Sequence, residues 1–128
     1  MALLGFKNRF ASRILDGSKR QTIRKKRKHP IVAGETLHLY TGLRTKNAKK
    51  LATPLAKEVW WVVIEYNRPV SAIRVYTHQG GVLVDKLESH KELNEFARLD
   101  GFDSWDDMRD FWIQEHGGSI FRGTLIEW

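Results

Sequence analysis

The sequence contains no cysteine, so neither a disulfide nor a thiolate-held metal can contribute to the fold, and the composition fits a reducing compartment. No apolar run approaches the roughly 20 residues of a membrane-spanning helix. The opening stretch, Met1 to Lys7, lacks the charged-then-apolar order of a secretion signal. The expected location is the cytoplasm, with no membrane as partner. The 5 histidines show no paired metal-ligand spacing, so neither metal nor cofactor is expected. No internal repeat and no long linker interrupts the 128 residues, which are expected to form a single domain over 1–128.

Acidic residues are scarce in one half of the chain. Residues 1–64 carry 15 Lys and Arg against 3 Asp and Glu, whereas residues 65–128 carry 7 against 12. A chain polarised in this way presents a positive field on part of its surface, and in cytoplasm the commonest polyanion to meet it is nucleic acid. With 41% hydrophobic and 29% charged residues the composition is that of a globular domain, which argues against disorder.

Phe6, Phe10, Ile14 and Leu15 recur at helical spacing before Gly17, predicting a short helix over 7–16. Residues 20–24 read as extended. The charge run Arg24-Lys25-Lys26-Arg27-Lys28-His29-Pro30 reads as a solvated loop, as does 47–53. Strands are expected at 36–40, 59–64, 70–76 and 82–84, the second of them central and buried and the last following a Gly80-Gly81 turn. Leu93, Phe96, Ala97 and Leu99 form one helical stripe stopped by Gly101. Ser104 with Asp107 opens a second helix that buries Trp105, Met108, Phe111 and Trp112 and ends at Gly117-Gly118. Residues 121–128 read as a closing strand. Few helices among closely spaced strands predict an α+β, mainly β domain: a small antiparallel barrel with flanking short helices.

The most informative segment is Gly17-Ser18-Lys19-Arg20-Gln21-Thr22-Ile23-Arg24, which follows a short helix and enters a strand. It resembles the signature of the ASCH family, a Gly-x-Lys-x-x-(Thr or Glu)-x-Arg run in the same setting. Gly34 to Tyr40 is similar to the family's second strand, and Asp100-Gly101-Phe102 to its later acidic turn. The resemblance implies a PUA-like β-barrel, a fold associated with RNA binding. One bacterial branch of the family is an amidohydrolase acting on N4-acetylcytidine. Its catalytic Lys and Thr fall on Lys19 and Thr22, and its acidic residue, a Glu, falls on Asp100. Another member has been linked to RNA cleavage.

Amide hydrolysis needs a nucleophile, a base with a near-neutral pKa and a group that holds the oxyanion. Lysine at its ordinary pKa of about 10.4 is no base at neutral pH. Burial and the neighbouring Arg20, Arg24 and Lys25 would push Lys19 down. A neutral Lys19 could then take a proton from Thr22 or water, Asp100 could orient the attacker, and Arg24 could hold an oxyanion or phosphate. Lys19 and Thr22 are three apart, so they meet only if Lys19 lies in the turn before the strand. Arg20, Thr22 and Arg24 share strand parity and are expected on one face. Lys25, Lys26, Arg27, Lys28, Arg44 and Lys46 are candidate phosphate contacts, Tyr40 a candidate base-stacking ring, and His38 a candidate pocket residue. The plain alternatives stand beside these: Lys19 as a solvated charge, Asp100 as a helix-end residue, Tyr40 as core. Three activities fit the residues: a metal-free deacylase of a modified nucleoside, a non-catalytic RNA-binding module, and a metal-independent ribonuclease.

Overall fold

The structure, a computed structural model, describes residues 2–67 and 69–128. Among these described residues it is mainly β, with two sheets and three short helical segments. Strands β1 (Ala2–Phe6), β3 (Leu37–Thr41) and β4 (Lys49–Ala52) form one sheet in the order β1-β3-β4. Strands β2 (Gln21–Arg24), β5 (Glu58–Glu65), β6 (Ala72–Thr77), β7 (Leu83–Leu87) and β8 (Ile120–Glu127) form the other in the order β2-β8-β5-β6-β7. A 3-10 turn, Asn8–Phe10, runs into α1 (Ala11–Leu15), while α2 (His90–Leu99) and α3 (Trp105–His116) lie between β7 and β8.

The strand pairings among the described residues do not close into a barrel. The five-stranded sheet is antiparallel throughout, but β1 pairs with β3 in parallel, contrary to the all-antiparallel expectation. The first strand is hidden in the sequence because Ala2-Leu3-Leu4-Gly5-Phe6 is short and apolar, which periodicity cannot separate from the start of a helix. Phe6 accordingly ends β1 instead of starting the first helix, and Leu15 is exposed. The polar segment 47–53, expected as loop, contains β4, an edge strand whose Lys49 and Lys50 are exposed. Edge strands tolerate and use such lysines. The strand expected at 121–128 is β8, which runs inside the sheet between β2 and β5.

One core joins the two sheets and the helices, with Leu37, Leu39, Ile64, Ile73, Ala97 and Met108 fully buried. The expected stripe of α2 is buried at Leu93, Phe96 and Ala97, but Leu99 is exposed. Ser89 and Glu92 complete a reciprocal capping box at the start of α2. At α3 the Ser104 hydroxyl accepts from the Asp107 N–H, and the short Asp107 carboxylate accepts from Asp103 N–H instead of completing the box. Among the described residues no helix is long and apolar enough to cross a membrane.

Candidate functional site

Gly17, at φ +83°, turns the chain out of α1 in the left-handed region that glycine adopts without strain. The strand begins only at Gln21, so Lys19 lies in the preceding turn, where its N–H donates to Arg13 O. Lys19, Thr22, Arg24 and Asp100 all line one cavity of about 290 Å³. Gly5 and Phe6 of β1 wall one side; the Phe10 ring packs edge-on to both Phe102 and Phe111, which are tilted to each other, and all three line the cavity. Trp112 and His116 of α3 and Phe121 of β8 complete the wall. The cavity thus holds a few polar groups within an aromatic lining, at the lower end of small-molecule pocket sizes.

Lys19 is only 2% exposed. Its Nζ donates to Gln21 O at 2.9 Å and to Asp100 O, and lies 3.9 Å from Asp100 Oδ2. It also sits 4.8 Å from the Phe10 ring centre and 5.4 Å from that of Phe6. Burial pulls its pKa down to about 8; Asp100 opposes the shift, while Arg24 and Arg9 add to it. The repelling charges are therefore Arg24 and the sequence-distant Arg9, not Arg20 or Lys25. Burial also raises Asp100 to about 6, against the pull of Lys19, the Gln21 hydrogen bond and Arg24. Asp100 is both the C-cap of α2 and a cavity residue.

Two carbonyl acceptors match the two N–H bonds of a neutral amine. With Cε and these two N–H bonds in place, the fourth position of Nζ is left for either a lone pair or a proton, so the same geometry serves both protonation states. Arg24 donates from Nε to Thr22 Oγ1 at 3.0 Å and from Nη2 to Gly5 O at 2.8 Å, with its guanidinium 4.7 Å from the Phe6 ring centre. The Thr22 hydroxyl is thereby an acceptor to Arg24, and its own proton remains available to a base.

The other sequence candidates lie elsewhere. Arg20 precedes β2, is exposed and borders a different cleft beside Lys57 and Trp128; it does not share the Thr22–Arg24 face. Of the charge run, only Arg24 and Lys25 reach the cavity. Lys26 and Arg27 border a small adjoining cleft, and Lys28 is exposed. His38 and Tyr40 alternate with buried Leu37, Leu39 and Thr41 and so face away from the core, with Lys50 Nζ over the Tyr40 ring. Arg44 and Lys46 are exposed in the β3–β4 turn, and none of these four lines the cavity. Sequence reasoning misses Gln21: it is buried, and its Nε2 donates to Asp100 Oδ1 at 3.4 Å. Phe111 and Trp112 read as part of the buried face of a core helix, because helical spacing marks burial without telling a cavity wall from solid core, and His116 is missed altogether. Among the described residues no group of three or more His, Asp or Glu is placed to hold a metal.

Gly101 tests how tightly Lys19 is held. At φ +95°, its place is strained for any other residue, and an added Cβ would come within 2.8 Å of Lys19 Cδ and 3.0 Å of Phe10 Cδ1. The Lys19 head is pinned by two carbonyls, so its stem cannot swing aside freely. Gly101→Ala is expected to cost about 1–3 kcal/mol, read in urea unfolding. Unchanged stability would show that the turn is loose.

No family model, curated protein or solved structure matches the chain.

Proposed function

We propose that the protein is a metal-free amidohydrolase that deacylates an N4-acylcytidine-type nucleoside, with an ASCH-like site. The observation that carries this reading is Lys19: a buried lysine, pulled towards neutral pKa and held by two carbonyls, in one cavity with a hydroxyl, a guanidinium and a carboxylate. Burying a lysine's charge is costly, and a lysine drawn towards neutral pKa is what a general base at neutral pH needs. In this reading the two packed sheets are an opened version of the small PUA-like barrel that the sequence resemblance implies.

The chemistry follows from these groups. Neutral Lys19 Nζ takes the Thr22 hydroxyl proton as Oγ1 attacks the acyl carbon, and the carbonyl π electrons move onto oxygen. Arg24, already donating to Thr22, meets the negative charge as it develops. The intermediate collapses with cleavage of the acyl–N4 bond, and the Lys19 ammonium returns its proton to the departing amine. Water then hydrolyses the Thr22 ester, again with Lys19 as base, releasing the carboxylic acid. Asp100 orients the Lys19 head and sets its proton affinity.

Purified protein is expected to convert N4-acetylcytidine or a close N4-acyl relative to cytidine, followed by chromatography, with EDTA present and without loss of rate. If a panel of acylated cytidines survives while oligonucleotides bind, the site belongs to an RNA-binding module. If RNA itself is cut in EDTA and the acylated nucleosides survive, the ribonuclease reading replaces this one.

A further inference from the structure

The outer face of the five-stranded sheet is open at its middle. In register, Trp61 faces Tyr76 and Thr124, and Val63 faces Arg74 and Arg122. Residues paired across antiparallel strands share a face. These positions lie on interior strands, where a covered face would be buried. Trp61, Val63, Arg74, Tyr76 and Thr124 are nevertheless only partly buried, and Arg122 is exposed. The His78 ring backs Trp61, with ring centres 4.6 Å apart and planes 20° apart, and Trp61 Nε1 donates to His78 O at 3.0 Å. The indole is therefore fixed in place. Arg74 is taken up by Glu65 at 2.7 Å. Positive charge comes from Arg122 and from the edge of the face, where Lys25, Lys26 and Arg27 border the cleft that Trp61 and Thr124 also line.

We infer that this face is a platform for single-stranded nucleic acid, continuous with the nucleoside cavity through Arg24, which pairs in register with Thr124. Bases stack on the Trp61–His78 pair and on Tyr76, and phosphates lie along Arg122 and the Lys25–Arg27 segment. Half-buried aromatic rings beside a cationic border match a strand's two surfaces, one of π-faces and one of charge. Arg24 and Lys25 line both the cleft and the cavity, so the platform leads to the site. If the hydrolase reading holds, the substrate base is then presented as part of a strand.

The test uses fluorescence anisotropy with labelled 12-mers of oligouridylate and oligothymidylate and a 12-base-pair duplex, over a salt series. At least one single strand should bind more tightly than the duplex, with log affinity falling linearly in log salt. The better of the two tells RNA from DNA. Tyr76→Leu should weaken binding about tenfold, within the range for losing one stacked base. Arg122→Glu, at an exposed position with no demand on folding, should weaken it at least as much and flatten the salt slope. Equal binding of the duplex overturns the platform, because paired bases cannot stack on side chains. So does wild-type affinity in both variants. So does sedimentation of the wild type as a dimer that Arg122→Glu converts to monomer, because the face would then be covered by a second copy. The oligonucleotides carry no acyl group, so this outcome is independent of whether the cavity hydrolyses anything.

Discussion

Lys19→Met should turn over an acylated cytidine about 10²–10⁴-fold more slowly than the wild type, the usual contribution of a general base. Thr22→Ala should do the same, because in the proposed sequence it removes the atom that attacks. The wild-type rate should rise with pH around a midpoint near 8, the value to which burial, chiefly, brings Lys19. The sign follows from the base being the unprotonated form. Asp100→Asn supplies the sharper check. The carboxylate raises the Lys19 pKa, so its removal should move the rising limb to lower pH. A residue that served only to hold the fold would change the amount of active protein and leave the midpoint in place. A profile of Asp100→Asn that superimposes on the wild type would sink the assignment of Lys19 and Asp100 as a coupled pair.

How much of this could be read from sequence differs by element. The segment from Gly17 to Arg24 was legible because its requirements are local: a glycine that reverses the chain, a lysine placed before the strand, a threonine and an arginine two apart within it. The central position of β5 was legible from its β-branched run, and α3 from Ser104, its apolar spacing and Gly117. Strand β1 was not, because what makes Ala2–Phe6 a strand is its parallel partner β3, some 35 residues on, and no local pattern encodes a distant partner. Strand β4 was hidden in the same way by its lysines. The site failed where face assignment depended on the boundary. Arg20 has the parity of Thr22 and Arg24, but parity holds only inside a strand, and β2 starts one residue later. Arg9 acts on Lys19 from the 3-10 turn, and the aromatic wall comes from α3, both juxtapositions that only the folded chain creates.

The buried pair to which the proposed chemistry is assigned should also weaken the fold near neutral pH. The folded-state pKa of Lys19 is lowered from 10.5 to about 8, so between those values the unfolded chain holds a proton that the folded chain does not. Stability therefore rises with pH across that window, by something on the order of 3 kcal/mol at about 1.4 kcal/mol per unit. Asp100 is raised from 3.8 to about 6, so between those values the folded chain holds the extra proton, and stability rises as pH falls through that window. The contribution of the pair is least favourable between about pH 6 and 8, where both are charged. Urea unfolding of the wild type should show this trough when compared with the Lys19→Met/Asp100→Asn double variant, in which neither group titrates. At pH 7 Lys19→Met alone is expected to cost about 3–5 kcal/mol, because it leaves Asp100 buried without its cation. Adding Asp100→Asn should recover part of that loss, since the amide needs no counter-charge and can still accept from Gln21. It should not recover all of it: Gln21 O and Asp100 O lose the donor that Lys19 supplied, and an unpartnered buried carbonyl costs about 1–3 kcal/mol. A double variant as unstable as Lys19→Met would assign the whole cost to those two carbonyls and none to the ion pair. Lys19 would then be a backbone clamp, held for its hydrogen bonds and not for its proton.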